Sequence, residues 1–315
     1  MLPGMQANLY ALGAIALWAT LAALGVALKH LPPFLLTGIA LVVGGLLAVP
    51  FVIQDRRQWQ VAPGTLALGI LTLFGFHFLL FIALRLAPAV EVNLINYLWP
   101  LFIVVMAPLY VLDMRLRGTH ALAALLGFVG AVIAIIGGPD AAGAGELAGS
   151  ASAFESRVML GYVLALGSAL IWANYSLQTK RLEQAGKGFP TAAIGLFGLV
   201  SGGLSLLCHW ALEPVVALSL HDAGLVAVLG LGPLGAAFFL WDKALKLGDP
   251  RHVGLLSYFT PLASTALLMV VSGRALTWNV AAAAALIVSA ALIGMRSDSD
   301  SDDEGEFQTK YKNSR

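Results

Sequence analysis

Long apolar stretches separated by short polar segments run along almost the whole chain. A helix crosses the bilayer core, about 30 Å thick, in about 20 residues, and ten stretches fit that length. Backbone polar groups in lipid must be bonded within the chain, so each stretch is predicted to be a helix. The predicted spans are residues 7–28, 34–53, 65–86, 90–112, 119–137, 158–180, 190–211, 222–244, 252–272 and 278–294. The pattern predicts an all-α membrane protein with ten transmembrane helices and no soluble domain.

The amino-acid composition limits the kinds of molecule that the protein is expected to bind. The 315 residues are 59% hydrophobic and 11% charged, whereas soluble domains carry about 25% charged residues. A net charge of +1 gives no reason to expect nucleic acid as a partner. The single cysteine, Cys208, excludes an internal disulfide and a cysteine-based metal site. We expect no metal and no cofactor, the lipid bilayer and a small molecule as partners, and a monomer, since ten helices suffice to enclose a cavity.

The distribution of Lys and Arg predicts the orientation. With the N-terminus in the cytoplasm, eleven basic residues flanking the spans lie inside and four lie outside, which is a positive-inside bias. Both termini are therefore expected to be cytoplasmic. The N-terminus lacks the features of a removable signal peptide. Residues 297–315 are acidic and rich in serine, which is typical of a disordered tail.

The sequence repeats itself. At an offset of 161 residues, ALRL (83–86) matches ALKL (244–247). The same offset aligns Asn96 with Ser257, Tyr97 with Tyr258, and Pro100 with Pro261. A shorter offset of 154 aligns Trp18 with Trp172. Chance similarity between apolar helices is the alternative, but several matches at one offset favour a true repeat.

The repeat predicts the domain organisation. Residues 1–137 form a first five-helix repeat, residues 138–157 a link, and residues 158–296 a second five-helix repeat. Because five is odd, the second repeat must cross the membrane in the opposite direction to the first. Inverted repeats are typical of transporters, which bind substrate near the midplane between the two halves.

Prolines break the repeated motif in both halves. Pro100 removes the hydrogen bond to the carbonyl of Asn96, and Pro261 removes the bond to the carbonyl of Ser257. In lipid, such carbonyls need partners or a wet cavity. The two prolines are therefore predicted to be flexing points beside a cavity; a packing kink with a local side-chain partner is the alternative.

Charged residues are absent from the middle of every predicted span. Asp242 lies near a helix end beside Lys243, and we interpret the two as a local pair or part of a loop. His77 is the one ionisable group placed deep in a span, where it either lines a cavity or is satisfied by a neighbouring helix. The segment GLGPLG (230–235) matches a dinucleotide-binding pattern but lies in an apolar span, so we do not interpret it as a dinucleotide site. The segment GLVSG (198–202) indicates close helix packing.

Aromatic and neutral polar residues supply the candidate site. Tryptophans 59, 210, 241 and 278 fit the interfacial belt of membrane proteins, whereas three others fall in mid-span. Aromatic walls with a few neutral polar groups suit a small molecule with an apolar side chain, with ordinary helix packing as the alternative. The predicted cavity residues are Trp18, His77, Asn93, Asn96, Tyr97, Trp99, Trp172, Tyr175, Ser257 and Tyr258.

The order of these motifs resembles the EamA-type repeats of the drug/metabolite transporter superfamily over residues 7–294. Within it, EVNLINYLWPLFIVVMAPLY (91–110), His77 and the Trp172 region resemble a group of exporters of aromatic amino acids. The resemblance implies a multi-pass protein of the bacterial inner membrane, not an enzyme. It implies export of Phe, Tyr and Trp, with Met and Thr as further substrates, by alternating access through a central cavity.

Departures from the superfamily pattern argue against two other substrate classes, cationic drugs exported by the same proton exchange and sugar phosphates. The glutamate that small multidrug relatives carry in their first helix is missing, as are the basic cavity residues expected for sugar phosphates. Another small neutral metabolite or a lipophilic drug remains the alternative substrate. An intramembrane enzyme or a scaffold is the alternative class, but no nucleophile–base spacing supports an enzyme.

Overall fold

The computed structural model describes residues 3–112, 114, 116–136, 151–271 and 278–293. These residues form ten helices, and no β-strand occurs among them. Several helices are built from two or three segments. The first five are α1 (Pro3–Ala19 and Leu21–Ala27), α2 (Pro33–Gly45, the 3₁₀ turn Leu46–Ala48, and Val49–Gln54), α3 (Pro63–Ile70, the π turn Leu71–Gly75, and Phe76–Leu86), α4 (Ala89–Asn96 and Trp99–Tyr110) and α5 (Gly118–Ile136).

The second five helices follow after residue 150. They are α6 (Ala151–Gln184), α7 (Ala193–Leu212), α8 (Leu220–Leu231, the π turn Gly232–Ala236, and Ala237–Leu247), α9 (Pro250–Leu256 and Phe259–Val271) and α10 (Trp278–Ile293). All ten predicted spans are confirmed as helices. Helix α6 begins at Ala151, inside the segment 138–157 that is predicted to link the repeats; residues 138–150 and the tail 297–315 lie outside the described residues.

The helices have the length and surface of an integral membrane protein. Seven are long and apolar enough to cross a bilayer, and α5 and α10 contain shorter apolar helices. Large apolar side chains cover the outer faces of the bundle: Leu109 and Val270 are each 78% exposed. Such surfaces are stable against lipid rather than water.

Helix irregularities recur at matching places in the two halves. The π turns begin at Leu71 and Gly232, 161 residues apart. Helix α4 breaks at Tyr97 and Leu98, and α9 breaks at Ser257 and Tyr258. A π turn leaves backbone carbonyls displaced from regular helical bonding and is frequent at functional sites.

Several helices of the first half pack on helices of the second half. Helix α1 packs on α8 and α6 packs on α3, while α4 packs on α6 and α9 packs on α1. The pairs α2–α7 and α4–α9 each join corresponding helices. This is the pattern that two related repeats produce when they face each other.

A close crossing joins α2 to α7 through glycines. A Cβ at Gly202 would lie 2.7 Å from the carbonyl oxygen of Gly38, and one at Gly198 would lie 3.0 Å from that of Leu41. Only a residue without a side chain allows backbones to approach this closely. The packing interpretation of GLVSG is thereby confirmed.

Candidate functional site

Four tryptophans from four helices meet at the centre of the bundle. The ring centroids of Trp18 and Trp172 are 5.7 Å apart, and those of Trp18 and Trp241 are 5.2 Å apart. Trp99 lies 5.5 Å from Trp241 and 6.2 Å from Trp172. Edge and tilted arrangements at these separations are favourable for aromatic rings. The aromatic cluster comprises Trp18, Phe76, His77, Trp99, Trp172, Tyr175, Phe238 and Trp241.

The prediction that Trp241 lies in the interfacial belt is wrong. Trp241 is completely buried. Helix α8 runs on to Leu247, so the residue does not lie at the helix end that a window ending at residue 244 suggested. Its spacing of three from Phe238 places both on one helix face. Trp210 and Trp278, by contrast, are 81% and 83% exposed, as side chains of such a belt would be.

The indole N–H groups of Trp18, Trp241 and Trp172 differ in their hydrogen-bond partners. Trp18 Nε1 donates to the carbonyl of Pro233 in the π turn of α8, at 3.1 Å. Trp241 Nε1 donates to Ser176 Oγ at 3.2 Å. Trp172 Nε1 is buried and has no acceptor among the described residues. An unsatisfied buried donor costs about 1–3 kcal/mol, so Trp172 presents a donor ready for an acceptor on a ligand.

His77 is buried in α3 at the edge of the aromatic cluster. Its ring is 5.0 Å from that of Phe76 and 6.5 Å from that of Phe238. Nδ1 lies 2.6 Å from the carbonyl oxygen of Leu73 in the π turn of the same helix. A carbonyl only accepts, so Nδ1 carries the proton and Nε2 of the neutral ring is an acceptor. His77 is thus bonded by its own helix rather than by a neighbouring one.

Neutral polar pairs join α4 to α6 beside the rings. Ser168 Oγ lies 2.9 Å from Asn96 Oδ1, with both residues buried. Tyr110 donates to Asn174 Oδ1 at 3.0 Å. Asn93, predicted to share this location, is exposed, although its spacing of three places it on the same side of the helix as the buried Asn96.

The repeated Tyr-x-x-Pro motif has different surroundings in its two copies. Tyr97 is half-buried, whereas Tyr258 is wholly buried in an apolar group with Val104 and Leu255, away from the aromatic cluster. A Cβ at Gly127 of α5 would collide with the Tyr258 ring. The structure therefore separates Tyr258 from the other predicted cavity residues.

The prolines follow helix breaks rather than kink continuous helices. Pro100 is the second residue of its segment in α4, and Pro261 the third in α9. The carbonyl of Ser257, predicted to be free, accepts the N–H of Thr260 at 2.9 Å. Ser257 Oγ itself donates to the Gly254 carbonyl. That part of the prediction is wrong, because a tight turn supplies the partner that proline removes.

One end of the bundle is tied by a buried glutamate that the sequence analysis did not single out. Glu213, just after α7, accepts the backbone N–H groups of Phe34 and Leu35 at the start of α2. Its carboxylate also pairs with Arg85 at 2.6 Å and with His209 at 3.0 Å. We call Glu213, Arg85 and His209 the Glu213 cluster; it links α2, α3 and α7.

The other end carries a second buried acid. Asp242 of α8 is wholly buried and pairs with Lys246 at 2.7 Å, not with the adjacent Lys243. Lys246 also donates to the carbonyl of Phe189, and Lys180 of α6 donates to the carbonyl of Lys246. The expected pairing with Lys243 is wrong because adjacent helical residues point apart whereas residues four apart are neighbours. We call Asp242, Lys246 and Lys180 the Asp242 cluster.

These two clusters lie at opposite ends of α7. The Glu213 cluster adjoins its last residue, Leu212, and the Asp242 cluster contacts Phe189, four residues before its first. A helix of 20 residues is about 30 Å long at 1.5 Å per residue. Buried ion pairs thus lie at both ends of α7.

Comparison with known proteins identifies the family. The model of the EamA-like transporter family matches residues 5–136 and 159–295. The chain is 37% identical over 295 residues to the aromatic amino acid exporter YddG of Ancylobacter novellus, covering 91% of this chain and 96% of that protein. It is 27% identical to the aromatic amino acid exporter YddG of Escherichia coli over the same shares. A crystal structure with 35% sequence identity and a TM-score of 0.80 covers 91% of this chain and 96% of its own. The chain therefore belongs to the EamA-like transporter family.

Proposed function

We propose that this transporter exports amino acids, chiefly phenylalanine, tyrosine and tryptophan, from the bacterial cytoplasm, with methionine and threonine as further substrates. One observation carries the proposal: a buried aromatic cluster that retains a free indole N–H on Trp172. The names of the two related exporters agree with it.

The aromatic cluster fits the substrate's side chain. Four indoles and two phenylalanines pack against one another in the aromatic cluster, and each additional aromatic contact with a substrate ring contributes about 0.5–1.5 kcal/mol beyond burial. Aromatic rings offer apolar faces and edges, so a neutral ring system is favoured over an ionic side chain.

Neutral hydrogen-bonding groups fit the substrate's zwitterion. The free N–H of Trp172 suits a carboxylate oxygen, and the acceptor Nε2 of His77 suits an ammonium group. Asn96 and Ser168 add an amide and a hydroxyl on the neighbouring side. Such a site binds both charges of an amino acid while remaining neutral itself, which suits its location in the membrane.

Two closures at opposite ends support alternating access. We place the Glu213 cluster at the periplasmic end and the Asp242 cluster at the cytoplasmic end, since the positive-inside count sets both termini in the cytoplasm. Opening one closure while the other holds exposes the aromatic cluster to one side at a time. The exchanged helix contacts and the two family matches support inverted repeats as the source of this symmetry.

Uptake of labelled phenylalanine into sealed proteoliposomes tests the proposal, with protein-free vesicles as the control. We expect saturable uptake that unlabelled tryptophan and tyrosine block and that a lipophilic organic cation does not. Uptake blocked by the cation or by a nucleoside, but not by tryptophan, would assign the site to the alternative substrates. An imposed proton gradient in the same vesicles shows whether transport is coupled to protons.

A further inference from the structure

A groove outside the aromatic cluster lies at the end of α2. It is lined by Val49, Val52 and Ile53 from the last turns of the helix and by Arg56 and Trp59 from the 3₁₀ turn that follows. Its volume is about 460 Å³, within the range of about 300–1,000 Å³ that small-molecule sites occupy.

The walls of the groove change from apolar to basic along its length. Val49, Val52 and Ile53 have the spacing of one helix face, and Ile53 is 78% exposed. Arg56 follows one turn later, past the helix end. This sequence of groups matches a phospholipid, whose acyl chains lie deeper in the membrane than its phosphate.

Arg56 has no carboxylate partner among the described residues and is exposed. A guanidinium presents a planar fork of N–H donors that matches two phosphate oxygens. The unpaired charge therefore favours an anionic headgroup over a zwitterionic one, whose ammonium it repels.

The turn that carries Arg56 is fixed at both ends. Asp55 accepts the backbone N–H of Arg57 through its side chain, at 2.9 Å. Trp59 Nε1 donates to the carbonyl of Ala192, just before α7, at 3.0 Å. The indole is thus held as a rigid wall, and tryptophan is a side chain typical of the headgroup level.

We propose that this groove binds one anionic phospholipid, with an acyl chain along Val49, Val52 and Ile53 and its phosphate on Arg56. A lipid bound here contacts only α2 and the turn that follows it, and Trp59 of that turn is bonded to Ala192 just before α7. The proposal is independent of which substrate the transporter carries.

Native mass spectrometry of the full chain released from detergent tests it, with dioleoylphosphatidylglycerol and dioleoylphosphatidylcholine as probes. We expect the first bound phosphatidylglycerol to be held about tenfold more tightly than the first phosphatidylcholine. Arg56→Gln removes this preference. Arg57→Gln is the matched control, since Arg57 is in the same turn but does not line the groove, and it keeps the preference.

A variant that fills the groove tests the acyl-chain part of the lipid site apart from the phosphate part at Arg56. Val52→Trp is expected to weaken the first lipid of either headgroup, because it occupies the space of the acyl chain. Equal affinities for the two lipids, or equal effects of Arg56→Gln and Arg57→Gln, would overturn the proposal. So would displacement of phosphatidylglycerol by glycerol phosphate at similar concentration, which would assign Arg56 to a free anion.

Discussion

Arg85 and Lys246, 161 residues apart, each lie over the ring of a phenylalanine, Phe34 at the start of α2 and Phe189 just before α7. Arg85 Cζ is 5.5 Å from the ring centroid of Phe34, and Lys246 Nζ is 4.2 Å from that of Phe189. These are the basic residues of the repeated ALRL and ALKL motifs. Each also pairs with a buried acid, Glu213 or Asp242. The repeated motif thus carries a basic residue in an ion pair at each end of α7, with acids that come from different parts of the chain.

The free N–H of Trp172 gives the sharpest prediction for transport. Trp172→Phe keeps an aromatic ring and removes the donor, so we expect phenylalanine uptake at subsaturating concentration to fall about tenfold, since one hydrogen bond to a charged group contributes about 1.5–3 kcal/mol. Trp172→Ala should lose more, because ring contacts disappear as well. Trp210→Phe, at an 81% exposed position, is the control. Normal uptake by both Trp172 variants would remove this residue from the site.

His77 is expected to contribute an acceptor rather than a charge. His77→Phe keeps an apolar ring but removes Nε2 and the bond from Nδ1 to the Leu73 carbonyl. We expect the KM for phenylalanine to rise severalfold in proteoliposomes, while the detergent-solubilised protein still elutes as one species. His221→Phe, at an exposed position, should leave KM unchanged. An unchanged KM in His77→Phe would assign the histidine to helix packing alone.

The sequence predicted the helices well because lipid imposes a strict physical rule. Every backbone group must be bonded inside the chain, so apolar length alone locates a span. The meeting of Trp18 and Trp172 is confirmed at 5.7 Å. That prediction came from the alignment of the two tryptophans in the sequence repeat, since equivalent mid-span positions in two inverted halves are expected to lie near the axis that relates them.

Side-chain surroundings were harder to predict, because they depend on which helix lies opposite. Tyr97 and Tyr258 occupy equivalent motif positions, yet Tyr258 packs against Gly127 of α5. Glu213 lies in a loop by sequence and is buried because α2 begins and α3 ends beside it. The pairing of Asp242 could have been predicted from the sequence, because Lys246 lies four residues later on the same helix face. The adjacent Lys243 suggested the wrong partner.

A double-mutant cycle tests the Asp242–Lys246 ion pair. Asp242→Asn leaves the Lys246 ammonium without its buried counter-ion, and removing one partner of a buried pair costs about 3–5 kcal/mol. Lys246→Gln leaves the opposite charge unpaired. The double variant should recover much of the loss, because neither charge remains. Melting temperatures in detergent measure each variant, with Lys243→Gln as a control that should stay near wild type; strictly additive losses would contradict the pairing.

Glu213 is expected to be a larger contributor to stability than any exposed acid. Glu213→Gln keeps an oxygen for the N–H groups of Phe34 and Leu35 but removes the charge opposite Arg85. Glu213→Ala removes both and should melt at a still lower temperature. Since Arg85 is 40% exposed, the loss for Glu213→Gln should fall at or below the lower end of about 3–5 kcal/mol. Glu183→Gln, at an exposed position, should change little, and a similar loss there would show a general charge effect.

Neighbouring glycines in α7 give a matched pair for the α2–α7 crossing. A Cβ at Gly202 would lie 2.7 Å from the Gly38 carbonyl oxygen, whereas one at Gly203 meets nothing within 4 Å. Gly202→Ala must push the helices apart and should destabilise the protein by about 1–3 kcal/mol, as overpacking does. Gly203→Ala has room and gains helix propensity, up to about 1 kcal/mol, so its melting temperature should stay level or rise. Equal shifts for the two variants would mean that α2 and α7 do not cross at Gly202.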